Sequence, residues 1–123
     1  MLRTIALGVV MGVLAASETH VQTERRVIEL TAERFAFFPS QIVLAAGEEV
    51  ELRIESDDTA HGFHIAGTSM NVSIPKRGQG TESVIVRFEK PGRYTFECSR
   101  MCGAGHHFMR GEIVVRAQDE SGR

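Results

Sequence analysis

Apolar and charged side chains alternate in short runs along this chain, and that pattern leaves few folds open. "VELRIE" (50–55) sets Val50, Leu52 and Ile54 against Glu51, Arg53 and Glu55. Successive side chains of a strand leave on opposite faces, so the run reads as a strand with one apolar face. "ESVIVRF" (82–88) and "RYTFEC" (93–98) alternate too, and the "EKPG" between them is a turn signal. "VIEL" (27–30), "QIVL" (41–44) and "EIVV" (112–115) are short β-branched runs. Gly47 and the stretches 56–58 and 78–80 punctuate the series, and no run after residue 20 has helical periodicity. The pattern predicts an all-β domain of about seven short strands, folded as an antiparallel sandwich or barrel.

Chemistry is concentrated in one loop of that pattern. "FECSRMCGAGHHFMRG" (96–111) holds the only two cysteines, Cys98 and Cys102, followed by His106, His107 and Met109. Thiolate, imidazole and thioether form a soft donor set that favours copper(I), zinc or iron–sulfur chemistry over hard cations. Gly103 and Gly105 let the backbone turn tightly between strand 93–98 and strand 112–115. A further ligand has to come from elsewhere, and "DDTAHGFHIAG" supplies His61 and His64. In an extended segment an offset of three residues puts these two on opposite faces, so only one meets the loop, and spacing alone does not choose which. His106 and His107, being neighbours, should likewise diverge. A Cys98–Cys102 disulfide and a Cys2His2 zinc site remain alternatives. Methionine suits copper better than zinc.

The 123 residues suit one domain. A formal charge of -2 without a basic cluster excludes the electrostatic footprint of a nucleic-acid binder. Residues 1–17 read as a signal peptide: Arg3, an apolar run over 5–16, then small residues. As a helix that run would span about 18 Å, short of the roughly 30 Å hydrocarbon core, so an uncleaved short anchor is the rival reading. A polar linker (18–26), the domain (27–117) and a flexible tail (118–123) complete the expected organisation. Export would place the protein in the periplasm or another extracytoplasmic space. An uncut segment would anchor it to the outer face of the cytoplasmic membrane.

"HGFHIAG" followed by "CSRMCGAGHHFMRGEIVV" resembles the dinuclear copper (CuA) domain of cytochrome c oxidase subunit II, and also that of nitrous oxide reductase. "FAFFPSQIVLAAGEEVELRI" is similar to the first strands of cupredoxins, so the resemblance covers residues 27 to 116. It implies a cupredoxin-like Greek-key antiparallel β-sandwich that holds two copper ions and carries one electron at a time. Cys98 and Cys102 would bridge both metals, with His61 and His106 as terminal imidazoles. Met109 and the backbone carbonyl of Arg100 would be weak ligands. His64 then becomes a non-ligand and His107 a surface residue. Phe63, Met70, Met101 and Phe108 would form either an apolar collar for a transient partner or part of the core. The implied partners are redox proteins such as a cytochrome c or a terminal oxidase subunit. The domain itself transforms no substrate. Two other roles stay open: the electron-accepting subunit II of a membrane oxidase, and a periplasmic copper chaperone or store.

The resemblance to oxidase subunits has three departures. Arg100 stands where that family commonly has a glutamate that helps hold magnesium, no Trp is present as an electron entry point, and no run of the sequence reads as the family's usual membrane-anchoring hairpin or long helix.

Overall fold

The computed structural model describes residues 24–118, together with residues 12, 16 and 17. Apart from those three positions, the expected signal segment, the linker before residue 24 and the tail beyond residue 118 lie outside the described residues. No helix among the described residues is long and apolar enough to cross a membrane.

Among the described residues, nine strands form two sheets. They are β1 (Arg26–Glu33), β2 (Ala36–Phe38), β3 (Gln41–Ala45), β4 (Glu49–Ser56), β5 (His61–Ile65), β6 (Asn71–Ile74), β7 (Glu82–Arg87), β8 (Gly92–Glu97) and β9 (Arg110–Arg116). One sheet has the order β2-β1-β4-β7 and the other β3-β9-β8-β5-β6. The alternation works as expected: Val50, Leu52 and Ile54 are fully buried on β4, with Arg53 and Glu55 exposed on its other face. Leu30, Val84 and Val86 join them from β1 and β7, and Ile42, Leu44, Ile113 and Val115 close the core from the second sheet. The chain is the two-sheet sandwich that its pattern implies.

Two pairings differ from the antiparallel expectation. β1 runs parallel to β4, with Arg26 opposite Val50, and β3 runs parallel to β9, with Gln41 opposite Glu112. A period of two decides which side chains face the core but does not depend on strand direction. Direction is set here by the crossings between sheets: β3 leaves the first sheet after β2, and β4 returns to it.

An aromatic cluster supports the end of the sandwich that carries the cysteine loop. Phe37, Phe63 and Phe96 are fully buried, with ring centroids 5.9, 5.3 and 5.3 Å apart. Burying each such ring contributes about 1.5–3 kcal/mol, and edge-to-face contact adds to it. Phe63 follows His61 by two residues and Phe96 precedes Cys98 by two. The same packing that closes the core therefore fixes where these two side chains emerge.

Candidate metal centre

The cysteine loop is the connection of the β8–β9 hairpin. Glu97 pairs with Arg110, and one step further the Cys98 N–H donates to the Met109 carbonyl at 3.0 Å. Cys98 and Met109 are thus held opposite each other at the hairpin's open end, and Cys102 and His106 lie on the arc between them. A single 3-10 turn, His106–Phe108, folds that arc back.

Four sulfur and nitrogen side chains converge there with a fifth from β5. The Cys98 and Cys102 sulfurs are 3.7 Å apart, and both thiols are free and buried. That is too long for a disulfide, at about 2.05 Å. It lies within reach of a metal shared by both thiolates at about 2.3 Å each. His61 Nδ1 is 4.0 Å from the Cys98 sulfur, and His106 Nδ1 is 3.6 Å from the Cys102 sulfur. Met109 Sδ is 3.8 Å from Cys102, and the Arg100 carbonyl lies 3.1 Å from Cys98. The structure therefore brings together Cys98, Arg100, Cys102, His106, Met109 and His61. The Nδ1 and Sγ atoms of His61, Cys98 and Cys102 alone lie within 4.8 Å of one another, a cluster that fits a copper site.

His64 does not join them. β5 turns its alternate side chains outward, and His64 lies near Glu97 Oε1 (3.5 Å) and the Thr68 carbonyl (3.3 Å) instead. His107 is exposed, its ring tilted 65° from that of His106. The four apolar collar candidates separate: Phe63 is core and Met70 packs against the core, whereas Met101 and Phe108 stand in solvent.

Residues that the sequence did not single out hold these side chains in place. Asp58 Oδ1 lies 2.6 Å from His61 Nε2, which leaves Nδ1 facing the cysteines. A carboxylate behind a ligating imidazole fixes its tautomer and orientation. Burial works to raise the Asp58 pKa, but the Arg34 N–H, the His61 ring and the Thr59 N–H outweigh it and hold the carboxyl below its usual range. The corner between β1 and β2 grips the loop from the other side. Arg34 Nε donates to the Cys102 carbonyl at 2.7 Å. The Phe35 ring lies where side chains at 103 and 105 would be, 2.8 and 2.3 Å from an added Cβ. Gly103 also has φ +148, a backbone demand, whereas Gly105 is needed for the close approach of Phe35. Nothing in "ERFAF" announced this contact. Only the acidic position three residues before His61 hinted at a carboxylate partner.

Burial, and then its neighbour Cys98, push the Cys102 thiol up to about 11, while the Arg34 charge pulls the other way. The Cys102 thiol is thereby held in its protonated form, and a cation bound there would have to displace that proton.

Comparison with known proteins agrees with this geometry. Residues 4–115 match the model of the cupredoxin-like domain, and the chain belongs to that family. It is 37% identical to cytochrome c oxidase subunit 2 of Thermus thermophilus over 89 residues, covering 72% of this chain and 64% of that one. It is 32% identical to nitrous-oxide reductase of Cupriavidus necator over 94 residues, covering 73% of this chain and 14% of that one. Among solved structures, a chain of a heme-copper terminal oxidase dimer superposes with a TM-score of 0.65 at 30% identity, covering 84% of this chain and 76% of the other. The chain is homologous to these proteins but spans only about half to two thirds of the length of the Thermus oxidase subunits.

Proposed function

We propose that the protein is an extracytoplasmic one-electron carrier with a dinuclear copper centre of the CuA type. One observation carries the reading: two thiols sit 3.7 Å apart, each with its own imidazole, His61 beside Cys98 and His106 beside Cys102. A mononuclear site would need only one of the two thiolates. In this reading Cys98, Cys102, His61 and His106 would hold the copper pair, and Met109 and the Arg100 carbonyl would add weaker donors. When bound, the copper pair would supply a redox level that takes up and releases one electron. The protein's own part is geometric. The β5 strand and the β8–β9 loop are fixed by the Phe37–Phe63–Phe96 cluster, so the ligands need not move when charge changes. Burial of Cys98, Cys102, Met109 and His61 keeps water from the sulfurs. The same burial favours a retained metal over the exposed, exchangeable site of a copper chaperone or store.

Homology to oxidase subunits and the match to a heme-copper oxidase favour a second reading, the electron-accepting subunit of a terminal oxidase, with oxidase-related partners. A cytochrome c as donor belongs to both readings. Residues 1–17 act in the first as a cleaved export signal and in the second as a short anchor. Copurification of haem with the native protein separates the two.

Metal analysis with electron paramagnetic resonance tests the centre itself. The expected result is two coppers per chain and a hyperfine pattern with more lines than one copper nucleus gives. Cys98→Ser and Cys102→Ser should each abolish it, whereas Met109→Leu should keep both coppers with an altered spectrum. One zinc per chain, or the pattern of a single copper nucleus, sinks the proposal.

A further inference from the structure

Four of the six arginine–carboxylate pairs among the described residues lie at one end of the molecule, and a fifth, Arg77 with Asp57, lies beside Asp58. Arg25 pairs with Glu49, Arg26 with Glu48, Arg87 with Glu89 and Arg93 with Glu112. The strand registers place these four arginines at the end away from the cysteine loop: Arg26 is opposite Val50, Glu49 opposite Arg87, and Gly92 opposite Val115. At the loop end, Arg34, Arg100 and Arg110 are exposed, and none has a carboxylate partner among the described residues. Two of them are braced against the loop, Arg34 by the Cys102 carbonyl and Arg110 Nη2 by the His107 carbonyl at 3.1 Å. Of the carboxylates nearby, Asp58 is engaged by the Arg34 and Thr59 N–H groups and His61, Asp57 by Arg77 and Glu97 by His64, which leaves Glu33, next to Arg34, as the one without an ion pair among the described residues. The loop also carries the two most exposed large apolar side chains among the described residues, Met101 at 71% and Phe108 at 82%. A chain of formal charge -2 therefore presents, over its metal loop, a small apolar tip rimmed by three unpaired guanidiniums.

From this we infer that the loop face docks a redox protein whose own contact surface is an apolar edge ringed by carboxylates. The inference rests on the electron-carrier reading and adds the sign and shape of its partner. Arginine suits a rim that must pair carboxylates without deep burial, because its guanidinium is weakly hydrated and always charged. Complementary charge steers encounter and speeds association, while a small apolar contact lets the pair separate quickly. An electron carrier needs both. The sign also excludes a donor with a lysine-rich face, which would meet like charge at the shortest approach to His106.

A single cytochrome with its charge inverted tests this directly. The probes are a basic c-type cytochrome and the same cytochrome with its lysines succinylated, so that the haem edge is kept and the rim changes sign. Amide NMR shifts of the labelled copper-loaded protein report the footprint, and stopped-flow mixing with ferrous cytochrome reports transfer. Only the succinylated form is expected to shift residues 99–110 and 33–35. Its binding should weaken at least tenfold in Arg110→Glu, weaken in Phe108→Ser, and fall as ionic strength shortens the Debye length below about 10 Å. Tighter binding of the unmodified basic cytochrome, or a footprint at the far end, overturns the inference. So does Arg110- and Phe108-dependent binding to phosphatidylglycerol vesicles with none to the succinylated cytochrome, which would make the face a lipid contact. A protein that holds two coppers yet ignores the acidic probe refutes the docking alone. A protein that binds the acidic probe through this loop without holding copper refutes the carrier reading alone.

Discussion

His61 and His64 are three residues apart on one strand, and they face different surroundings. His61 is fully buried between Asp58 and Cys98, and His64 lies part-exposed beside Glu97. His61→Ala removes a proposed ligand and leaves a hole, so it should abolish copper binding. His64→Ala should leave copper content and spectrum intact, and equal loss in both variants would show the assignment to be wrong. A second expectation concerns protons. The Cys102 pKa rises from 9.0 in the ordinary thiol to about 11 in the fold. A group whose folded pKa lies above its unfolded value contributes stability that is complete below the unfolded pKa and lost as pH rises through the folded one. The reduced apoprotein should therefore lose stability between pH 9 and about 11, and Cys102→Ala should flatten that slope in denaturant melts. The loop half of this site could be read from the sequence, because Cys98, Cys102, His106 and Met109 are close in the chain. Arg34, Phe35 and Asp58 could not, since a hydrogen bond from Arg34 to Cys102 crosses 68 positions and leaves no local pattern.

At the scale of elements, strands long enough to alternate between a wet and a buried face were legible and the shortest ones were not. β4, β7 and β8 showed their alternation because one side of each meets solvent. β2 is three residues, too short for a period, and β6 (Asn71–Ile74) buries only Ile74 fully. Parallel pairing of β3 with β9 joins segments far apart in sequence, where no turn motif can signal it. What couples these elements to the site is contact between glycine and aromatic rings. A Cβ at Gly111 would stand 2.2 Å from the Phe96 ring and 2.6 Å from the Ser40 carbonyl. Phe96 is held by Phe37 and Phe63 and cannot retreat without disturbing the core. Gly111→Ala should thus cost about 1–3 kcal/mol by overpacking. Gly67 has open space around it and only its φ of +78 to defend, so Gly67→Ala should cost about 1 kcal/mol. Urea melts of the two variants compare them, and equal losses would mean that the ring is free to move.

For the molecule as a whole, core and metal loop are adjacent but separately built. The buried apolar set runs through both sheets from Leu44 and Val115 to Phe37 and Phe63, and only Cys98, Cys102 and Met109 of that set belong to the loop. The hairpin that carries the loop is closed by backbone bonds between β8 and β9 and by Cys98 N–H to Met109, none of which involves a metal. Arg34 and Phe35 grip it from outside as well. Removing copper from the reduced protein should therefore leave the sandwich folded, unlike a zinc finger, which has no core to fall back on. The loss should appear in stability. A ligand present at one hundred times its dissociation constant stabilises the folded state by about 2.7 kcal/mol. At about 4–8 °C per kcal/mol for a domain near 100 residues, that is a melting shift of roughly 10–20 °C. Calorimetry of copper-loaded and metal-free protein under a reductant measures the shift, and amide NMR shows where the two forms differ. Changes should be confined to the loop between β8 and β9, the start of β5 and the β1–β2 corner. Collapse of the dispersed strand resonances without copper would mean that the metal, and not the Phe37–Phe63–Phe96 cluster, organises this end of the fold.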